Sequence, residues 1–310
     1  MSERSYAVIG TGALGGFYGA RLNRAGCEVH YLLRSDYEHV RARGLKCESK
    51  DGDFELPKVH AYRDVRDMPR CDVVLVGLKT TMNHLLGELL PGVVADDGVV
   101  LMMQNGLGME DAAAAVVGAD RVMGGMAFLC CHKVGPGHVR HLDFGPIALA
   151  EYDAAHEGRG VTDRLRAVGG DFERAGISVT REGDLVTARW KKLVWNVPFN
   201  GLSVVMGLTT DRIMADASAR GLVEALMGEV VAGAAGHGRT VEPAFVAKML
   251  SWTERMVAYK PSMMLDAEAG RAMEVETLFG NPVRAARAVG VEMGRVEMLY
   301  QLLKVREGVG

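Results

Sequence analysis

The chain has 310 residues, of which 48% are hydrophobic and 24% are charged, and its formal net charge is -3. This length exceeds the size at which a single hydrophobic core usually stops growing, so two domains are expected. The slightly negative charge gives no reason to expect binding to nucleic acid or to an anionic membrane. The five cysteines lack a C-x-x-C spacing and no apolar run could cross a bilayer, which favours a cytoplasmic protein.

The first half of the chain alternates strands with helices. An apolar strand at 6–9 precedes a helix over 14–25, and "CEVHYLL" reads as the second strand. Further strands are predicted at 71–78, 98–105, 121–129, "HVRHLDFGPIALAEY" and "GISVT", with helices after the first two of these. Such alternation predicts a parallel sheet that is covered on both faces.

Helical periodicity dominates from about residue 183 onward. The sequence therefore predicts an α/β Rossmann-type dinucleotide-binding domain over 1–182, followed by an all-helical domain over 183–310. We expect the second domain to carry the substrate and catalytic residues.

The first turn, "GTGALG", places Gly10, Gly12 and Gly15 between the first strand and the first helix. In a dinucleotide-binding turn the first glycine allows the tight bend and the second lets the backbone approach a pyrophosphate. The third lets helix and strand pack closely, and the start of the helix, here Ala13 and Leu14, faces the phosphates. A G-x-G-x-x-G motif alone is weak evidence, but this one has both its strand and its helix.

The choice between NAD and NADP depends on the end of the second strand, which reads "YLLRSD". A leucine stands where an acid would bind the ribose hydroxyl of NAD, and Arg34 follows it. A guanidinium suits the 2′-phosphate of NADP, whereas Asp36 keeps NAD open as an alternative. We predict NADP.

Two further polar residues follow predicted strands, at the sheet edge where such folds bind ligands. Lys79 follows "VLVGL", and Asn105 lies in "MMQNGLG". Either could instead be an ordinary solvated strand end or turn residue. Their position at this edge favours a role in binding.

The stretch "WKKLVWNVPFN" predicts an unusual helix. Lys192, Asn196 and Asn200 fall one above another on one face, among residues that would otherwise be buried, and Ser203 continues the row. Buried groups of this kind cost several kcal/mol unless they are satisfied, which suggests a binding surface. Pro198 is expected to kink the helix or to open it locally.

The later stretch "KPSMMLDAEAGRAMEVETLFGNPV" contains a helix start near Ser262 and two acids, Glu274 and Glu276. We expect both acids on a helical segment. A glutamate on a helix is most often solvated, so neither acid by itself indicates a site.

Taken together, these motifs resemble the 2-dehydropantoate 2-reductase, or ketopantoate reductase, family along nearly the whole chain. The matches are "GTGALGG", "LKT", "QNG", "WKKLVWNVPFNGLS" and "SMMLDAEAGRAMEVETLFG". The resemblance implies reduction of a 2-oxo acid with NADPH, in pantothenate and coenzyme A biosynthesis. The sequence departs from the family at "NGLSVV", where well-known members read N-P-L-T-A.

The resemblance also implies roles for individual residues. Lys192 resembles the general acid, and Glu274 the residue that holds the substrate hydroxyl. The groups expected to orient substrate and nicotinamide are Asn105, Asn196, Asn200 and Ser262. The cofactor would be held by Gly10, Gly12, Ala13, Leu14, Gly15, Arg34, Lys79 and Asn105.

Two alternatives to this interpretation remain at the level of the sequence. The protein could reduce a different 2-oxo or hydroxy acid, or it could be a catalytically silent NADPH sensor. His132, His138 and His141 could suggest a metal site, but His138 and His141 would point to opposite faces of a strand, so no metal is expected. A homodimer is expected because the second half is rich in apolar residues.

Overall fold

The computed structural model describes residues 4–309, which form two compact units. One unit comprises residues 4–104 and Met109–Leu185, and the other comprises Asn105–Gly108 and residues 186–309. The short segment Asn105–Gly108 therefore belongs to the helical unit, although it follows a strand of the first unit in sequence. No helix within the described residues is long and apolar enough to cross a membrane.

One mixed sheet carries the first unit. Its strands in the described residues are β1 (Ser5–Ile9), β2 (Glu28–Leu32), β3 (Leu45–Ser49), β4 (Phe54–Leu56), β5 (His60–Tyr62), β6 (Cys71–Val76), β7 (Val94–Met102), β8 (Val122–Gly135), β9 (His138–Glu151) and β10 (Val179–Arg181). They lie in the order β4-β3-β9-β8-β7-β6-β1-β2-β5, and β10 pairs with β9.

The sheet confirms the α/β prediction but is not wholly parallel. Strands β5, β2, β1, β6, β7 and β8 run parallel to one another. Strands β8 and β9 pair antiparallel along most of their length, joined by a tight turn at Pro136 and Gly137. The second antiparallel pair is β3 with β4. Long strands joined by two residues can only form a hairpin, which accounts for the reversal of direction.

Helices cover the sheet of the first unit. They are α1 (Ala13–Arg24), α2 (Tyr37–Arg43), α3 (Leu86–Leu89), α4 (Glu110–Val117) and α5 (Asp163–Arg174). Side chains of α1 such as Phe17 and Tyr18 pack with Val8, Val29 and Phe172 into one buried core.

The segments β3, β4, β5 and α2 were not predicted from the sequence. The three strands are only three to five residues long and mix charged with apolar side chains, as in "LKCES" and "FEL". Such short segments carry too few alternating positions to give a clear pattern. Their pairing depends on neighbouring strands that are distant in sequence.

The second unit is helical, as predicted. Its helices are α6 (Leu185–Met206), α7 (Thr210–Ala215), α8 (Ala217–Gly236), α9 (Pro243–Arg255), α10 (Ser262–Glu268), α11 (Asn281–Ala288) and α12 (Gly294–Val309). A π-helical segment, Glu276–Gly280, leads directly into α11. Helix α6 is buried on most of its surface, with Trp190, Leu193, Val194, Val197 and Phe199 all at 0% exposure.

Candidate active site

The glycine-rich turn has the geometry that its motif predicted. Gly10 has φ +96°, and a side chain there would place its Cβ 2.4 Å from the backbone nitrogen of Leu78. A Cβ at Gly15 would lie 2.3 Å from the carbonyl oxygen of Gly10. A Cβ at Gly12, by contrast, would meet nothing within 4 Å. Two glycines are therefore required by the fold, whereas Gly12 leaves open space.

The start of α1 can receive an anion. Its first turn carries no acidic residue, and Gly12, the residue before the helix, makes no side-chain capping bond. The N–H groups of Ala13, Leu14 and Gly15 have no acceptor within the helix, since these are the first helical positions. A pyrophosphate beside Gly12 would satisfy them and favour the positive end of the helix dipole. The residues present thus fit a dinucleotide.

Arg34 and Asp36, the two candidate contacts to the ribose of the cofactor, follow β2 and lie in different environments. The side chain of Arg34 is exposed and makes no hydrogen bond or ion pair with the described residues. Asp36 is buried, with its carboxylate 2.7 Å from Lys133 Nζ and accepting a 2.8 Å bond from the Gly137 N–H. Burial alone would raise the pKa of Asp36, but these donors outweigh it and lower the pKa. The Asp36 carboxylate is thus already bound by two donors of the β8–β9 hairpin.

Two further residues near the glycine-rich turn, Lys133 and Gln104, were not predicted from the sequence. Lys133, on β8, lines a small pocket together with Thr11, Gly12 and Asp36. Gln104 donates from Nε2 to the carbonyl of Leu78 and to Asn83, which fixes the loop that carries Lys79. Gln104 stood inside the quoted "QNG" motif, whereas nothing local to Lys133 indicated its position. Lys79 itself precedes a short 3₁₀ helix, Thr80–Leu85, and is half-buried.

The polar face of α6 exists and is buried. Lys192 is 7% exposed, and Asn196 and Asn200 are each 3% exposed. Lys192 Nζ lies 5.8 Å from the centroid of the Trp195 ring, which stacks on Phe199 at 5.0 Å. An ammonium in contact with aromatic and apolar surface is poorly hydrated, so it interacts strongly with any negative charge brought beside it.

Hydrogen bonds join this face to two other segments of the same unit. Asn196 Nδ2 donates to Asn105 Oδ1 at 3.2 Å, and Asn200 Nδ2 donates to the carbonyl of Asn196 at 3.2 Å. Asn200 Oδ1 accepts from the Ser262 hydroxyl at 3.4 Å and from the Met263 N–H at 3.3 Å. The predicted residues Asn105, Asn196, Asn200 and Ser262 are thus connected in one network, which offers several amide and hydroxyl groups to a ligand.

Glu274 is buried, at 6% exposure, but it does not lie on a helix as expected. It precedes the π-helical segment, and its carbonyl accepts the N–H of Leu278. Glu276 is exposed, and its carboxylate accepts hydrogen bonds from Tyr300 and Arg284. The two acids therefore differ: Glu276 takes part in a hydrogen-bonded group of side chains at the surface, whereas Glu274 is buried. The turn that follows Glu274 contacts Asn105–Gly108 through Thr277, whose carbonyl accepts the N–H of Leu107.

Pro198, Ser203 and the histidines of the β8–β9 hairpin lie in ordinary structural surroundings. Helix α6 continues through Pro198 as a single α-helix, so the proline does not end the helix. Ser203 lies on α6 at 0% exposure, and its hydroxyl has no hydrogen-bond partner among the described residues. His141 is hydrogen-bonded to Ser49 and His138 is paired with Glu48, which are ordinary structural contacts.

These features define a class of protein. A glycine-rich turn that can hold a pyrophosphate precedes a helical unit with a buried lysine–amide network. This combination is typical of nicotinamide-dinucleotide oxidoreductases that act on carbonyl or hydroxyl groups.

Comparison with known proteins identifies the family. Residues 6–154 match the family described as "Ketopantoate reductase PanE/ApbA", and residues 184–307 match its C-terminal domain. A 2-dehydropantoate 2-reductase from Nostoc sp. is 52% identical over 99% of this chain and 97% of its own length. The crystal structure of a 2-dehydropantoate 2-reductase from Geobacter metallireducens has a TM-score of 0.93 and 43% identity, covering 97% of this chain and 99% of that one. A third relative, from Methylococcus capsulatus, has a TM-score of 0.87 and 36% identity, covering 98% and 97%. The chain belongs to the ketopantoate reductase family.

Proposed function

We propose that this protein reduces 2-dehydropantoate to pantoate with NADPH, a step in pantothenate and coenzyme A biosynthesis. The observation that carries this proposal is the buried network on α6, in which Asn196 and Asn200 bond to Asn105 and Ser262 beside Lys192. The 52% identity to a 2-dehydropantoate 2-reductase over almost the whole chain supports the substrate.

NADPH, when bound, would supply the hydride. The residues we assign to holding it are Gly10, Gly12, Ala13, Leu14, Gly15, Arg34, Lys79 and Asn105. Open space at Gly12 and the first N–H groups of α1 suit the pyrophosphate. Arg34, whose side chain has no partner among the described residues, suits a 2′-phosphate. Asp36, the acid that would favour NAD, is already paired with Lys133.

Lys192 is the proposed general acid. As the keto carbon is reduced, negative charge develops on its oxygen, and a buried ammonium stabilises that charge before donating a proton to it. The amides of Asn196 and Asn200 are already fixed by hydrogen bonds, so they need little reorganisation as the charge moves. The alcohol oxygen of the product receives the proton of Lys192.

Glu274 is the proposed specificity residue. An enclosed carboxylate can accept a hydrogen bond from the substrate hydroxyl. A site built around such a bond rejects analogues without the hydroxyl by orders of magnitude, since the carboxylate would be left without that donor. Ser262 and Asn200 would orient the rest of the acid.

The first experiment is the rate of NADPH oxidation with 2-dehydropantoate, followed at 340 nm. We expect a turnover in the ordinary enzyme range of about 1 to 1,000 per second. Lys192→Ala should lower kcat by several orders of magnitude and leave the Kd of NADPH nearly unchanged, whereas the neighbouring Lys191→Ala should retain activity. A loss smaller than about tenfold would place the general acid elsewhere. Turnover with other 2-oxo acids but not with 2-dehydropantoate would show that the substrate is a different acid. Tight NADPH binding without any turnover would indicate a catalytically silent sensor.

The other assignments follow from this function. We propose that the NADP-binding domain spans 1–182 and the catalytic domain 183–310, and that the protein acts in the cytoplasm on a small 2-oxo acid.

We also propose a homodimer. The outer face of α12 exposes Met298, Leu302 and Val305, which are 55%, 46% and 66% exposed and follow one another by about one turn. In a twofold arrangement an antiparallel α12 of a second copy would pair Met298 with Val305 across Leu302. Light scattering should give a dimer that Leu302→Lys dissociates and the exposed control Val257→Lys does not. A monomeric parent would refute this.

A further inference from the structure

Two hydrogen bonds hold the segment Asn105–Gly108, one to the backbone of Thr277 and one from the side chain of Asn281. The N–H of Leu107 donates to the carbonyl of Thr277 at 3.0 Å. The side-chain Nδ2 of Asn281 donates to the carbonyl of Leu107 at 2.7 Å. The backbone N–H and the backbone carbonyl of Leu107 are thus both hydrogen-bonded to the segment that runs from the π-helix into α11. We call these two bonds the Leu107 clamp.

The π-helical register explains why Thr277 can accept this bond. In a π-helix each carbonyl accepts from the residue five positions later, and the N–H of Asn281 indeed donates to the carbonyl of Glu276. For Thr277 the residue five positions later is Pro282, which has no N–H. The helix therefore presents the Thr277 carbonyl to Leu107. Single-turn π-helices often lie at functional sites.

Gly106 makes the close approach possible. It has φ +115°, and a Cβ at this position would lie 2.5 Å from the carbonyl oxygen of Thr277. Neither the conformation nor the contact can accommodate a side chain without displacing one of the two segments. The loop and the π-helix therefore fit each other at backbone level.

A surface ion pair fixes the orientation of the Asn281 amide. Arg284 donates to Asn281 Oδ1 at 2.6 Å and to Glu276 Oε2 at 2.9 Å. Arginine can only donate, so the atom that faces it must be the amide oxygen, and the amide nitrogen must face Leu107. Tyr300 donates to the other oxygen of Glu276 at 2.6 Å. These surface side chains thus hold the Asn281 amide in the orientation that the Leu107 clamp requires.

We propose that Asn281, through the Leu107 clamp, is a positioning residue for the reaction. The loop that it holds carries Asn105, whose Oδ1 accepts the 3.2 Å bond from Asn196 on the polar face of α6. Asn281 itself lies outside the predicted site residues and acts through Asn105. The catalytic part of this inference rests on the proposed reductase function, whereas the clamp does not.

Asn281→Asp is the most informative variant. It keeps the shape of the side chain and an acceptor for Arg284, but it replaces the donor to Leu107 with an oxygen. Arg287→Gln is the matched control. Arg287 lies on α11, as Asn281 does, and the change breaks its surface ion pair with Glu297 of α12 without touching Leu107 or Thr277. Thermal unfolding should change little in both variants.

Hydrogen exchange tests the clamp without reference to activity. Loss of a net stabilisation of about 1.4 kcal/mol corresponds to roughly tenfold faster exchange. We expect this acceleration in peptides that contain Leu107 for Asn281→Asp and not for Arg287→Gln. Unchanged exchange at Leu107 would overturn the proposal even if the parent protein fails to reduce 2-dehydropantoate.

Kinetics test the consequence for catalysis. We expect Asn281→Asp to lower kcat about 10- to 100-fold, because small misplacements of an orienting group have effects of this size. In an Asn105→Ala background the same change should have almost no further effect, since the group that it positions is absent. Faster exchange with unchanged kcat, or fully multiplicative losses in the double variant, would refute the positioning role.

Discussion

Gly12→Ala should separate cofactor binding from folding. The backbone of Gly12 has φ -85°, which any residue can adopt, and its Cβ would meet nothing within 4 Å. We therefore expect the free energy of unfolding to change by no more than about 0.5 kcal/mol. The added methyl group would instead occupy the space through which a pyrophosphate reaches the N–H groups of α1.

The size of the binding defect follows from the hydrogen bonds at risk. A hydrogen bond to a charged group contributes about 1.5 to 3 kcal/mol, so losing one of them should weaken NADPH binding about 10- to 100-fold.

Gly10→Ala is the contrasting variant, because Gly10 has a positive φ. Its positive φ costs about 1 to 2 kcal/mol for a residue with a Cβ, and the clash with Leu78 adds to this. It should lower stability as well as affinity.

Two titrations measure these quantities, one of NADPH fluorescence and one of urea unfolding. The expected pattern is a weakened Kd with a normal urea midpoint for Gly12→Ala, and a lowered midpoint for Gly10→Ala. If Gly12→Ala binds NADPH within twofold of the parent, the pyrophosphate does not approach this turn, and the assignment of the glycine motif is wrong.

Three further predictions concern single residues. Arg34→Ala should weaken NADPH binding more than NADH binding; equal losses would refute contact with a 2′-phosphate. Burial lowers the pKa of His141, so the unfolded chain binds more protons below about pH 6.5 and stability should fall as the pH drops through this range. The urea midpoint of His141→Gln should fall less than that of the parent between pH 7.5 and 5.5, and identical losses would exclude His141 as a source. Gly106→Ala should lower kcat and accelerate exchange at Leu107; normal values of both would contradict the close contact with Thr277.

The parts of the site that the sequence predicted depend on local spacing. Gly10, Gly12 and Gly15 fall at fixed positions around one turn, and Lys192 and Asn196 fall at helical spacing on one helix. Residues four positions apart on a helix lie on the same face, so their proximity can be predicted without knowing which distant segments contact the helix. The burial of the α6 face was predictable for the same reason, from the apolar residues on either side.

The parts that the sequence did not predict depend on contacts between distant segments. Lys133 reaches Asp36 only because the β8–β9 hairpin folds back along the sheet, and no local pattern reports this. The π-helical register after Glu274 also escaped the helical prediction, since one inserted residue shifts the hydrogen bonds without changing the composition. The role of Asn281 becomes visible only once Leu107 is placed beside it.

The distribution of the candidate residues between the two units has a consequence for interpreting variants. The cofactor candidates Gly10, Arg34 and Lys79 lie in the first unit, whereas Lys192 and Glu274 lie in the helical unit. Asn105 was assigned to both roles; it belongs to the helical unit, where it accepts a hydrogen bond from Asn196. A change at Asn105 should therefore disturb the catalytic network directly. Its effect on turnover should exceed its effect on cofactor affinity, the reverse of the pattern expected at Arg34.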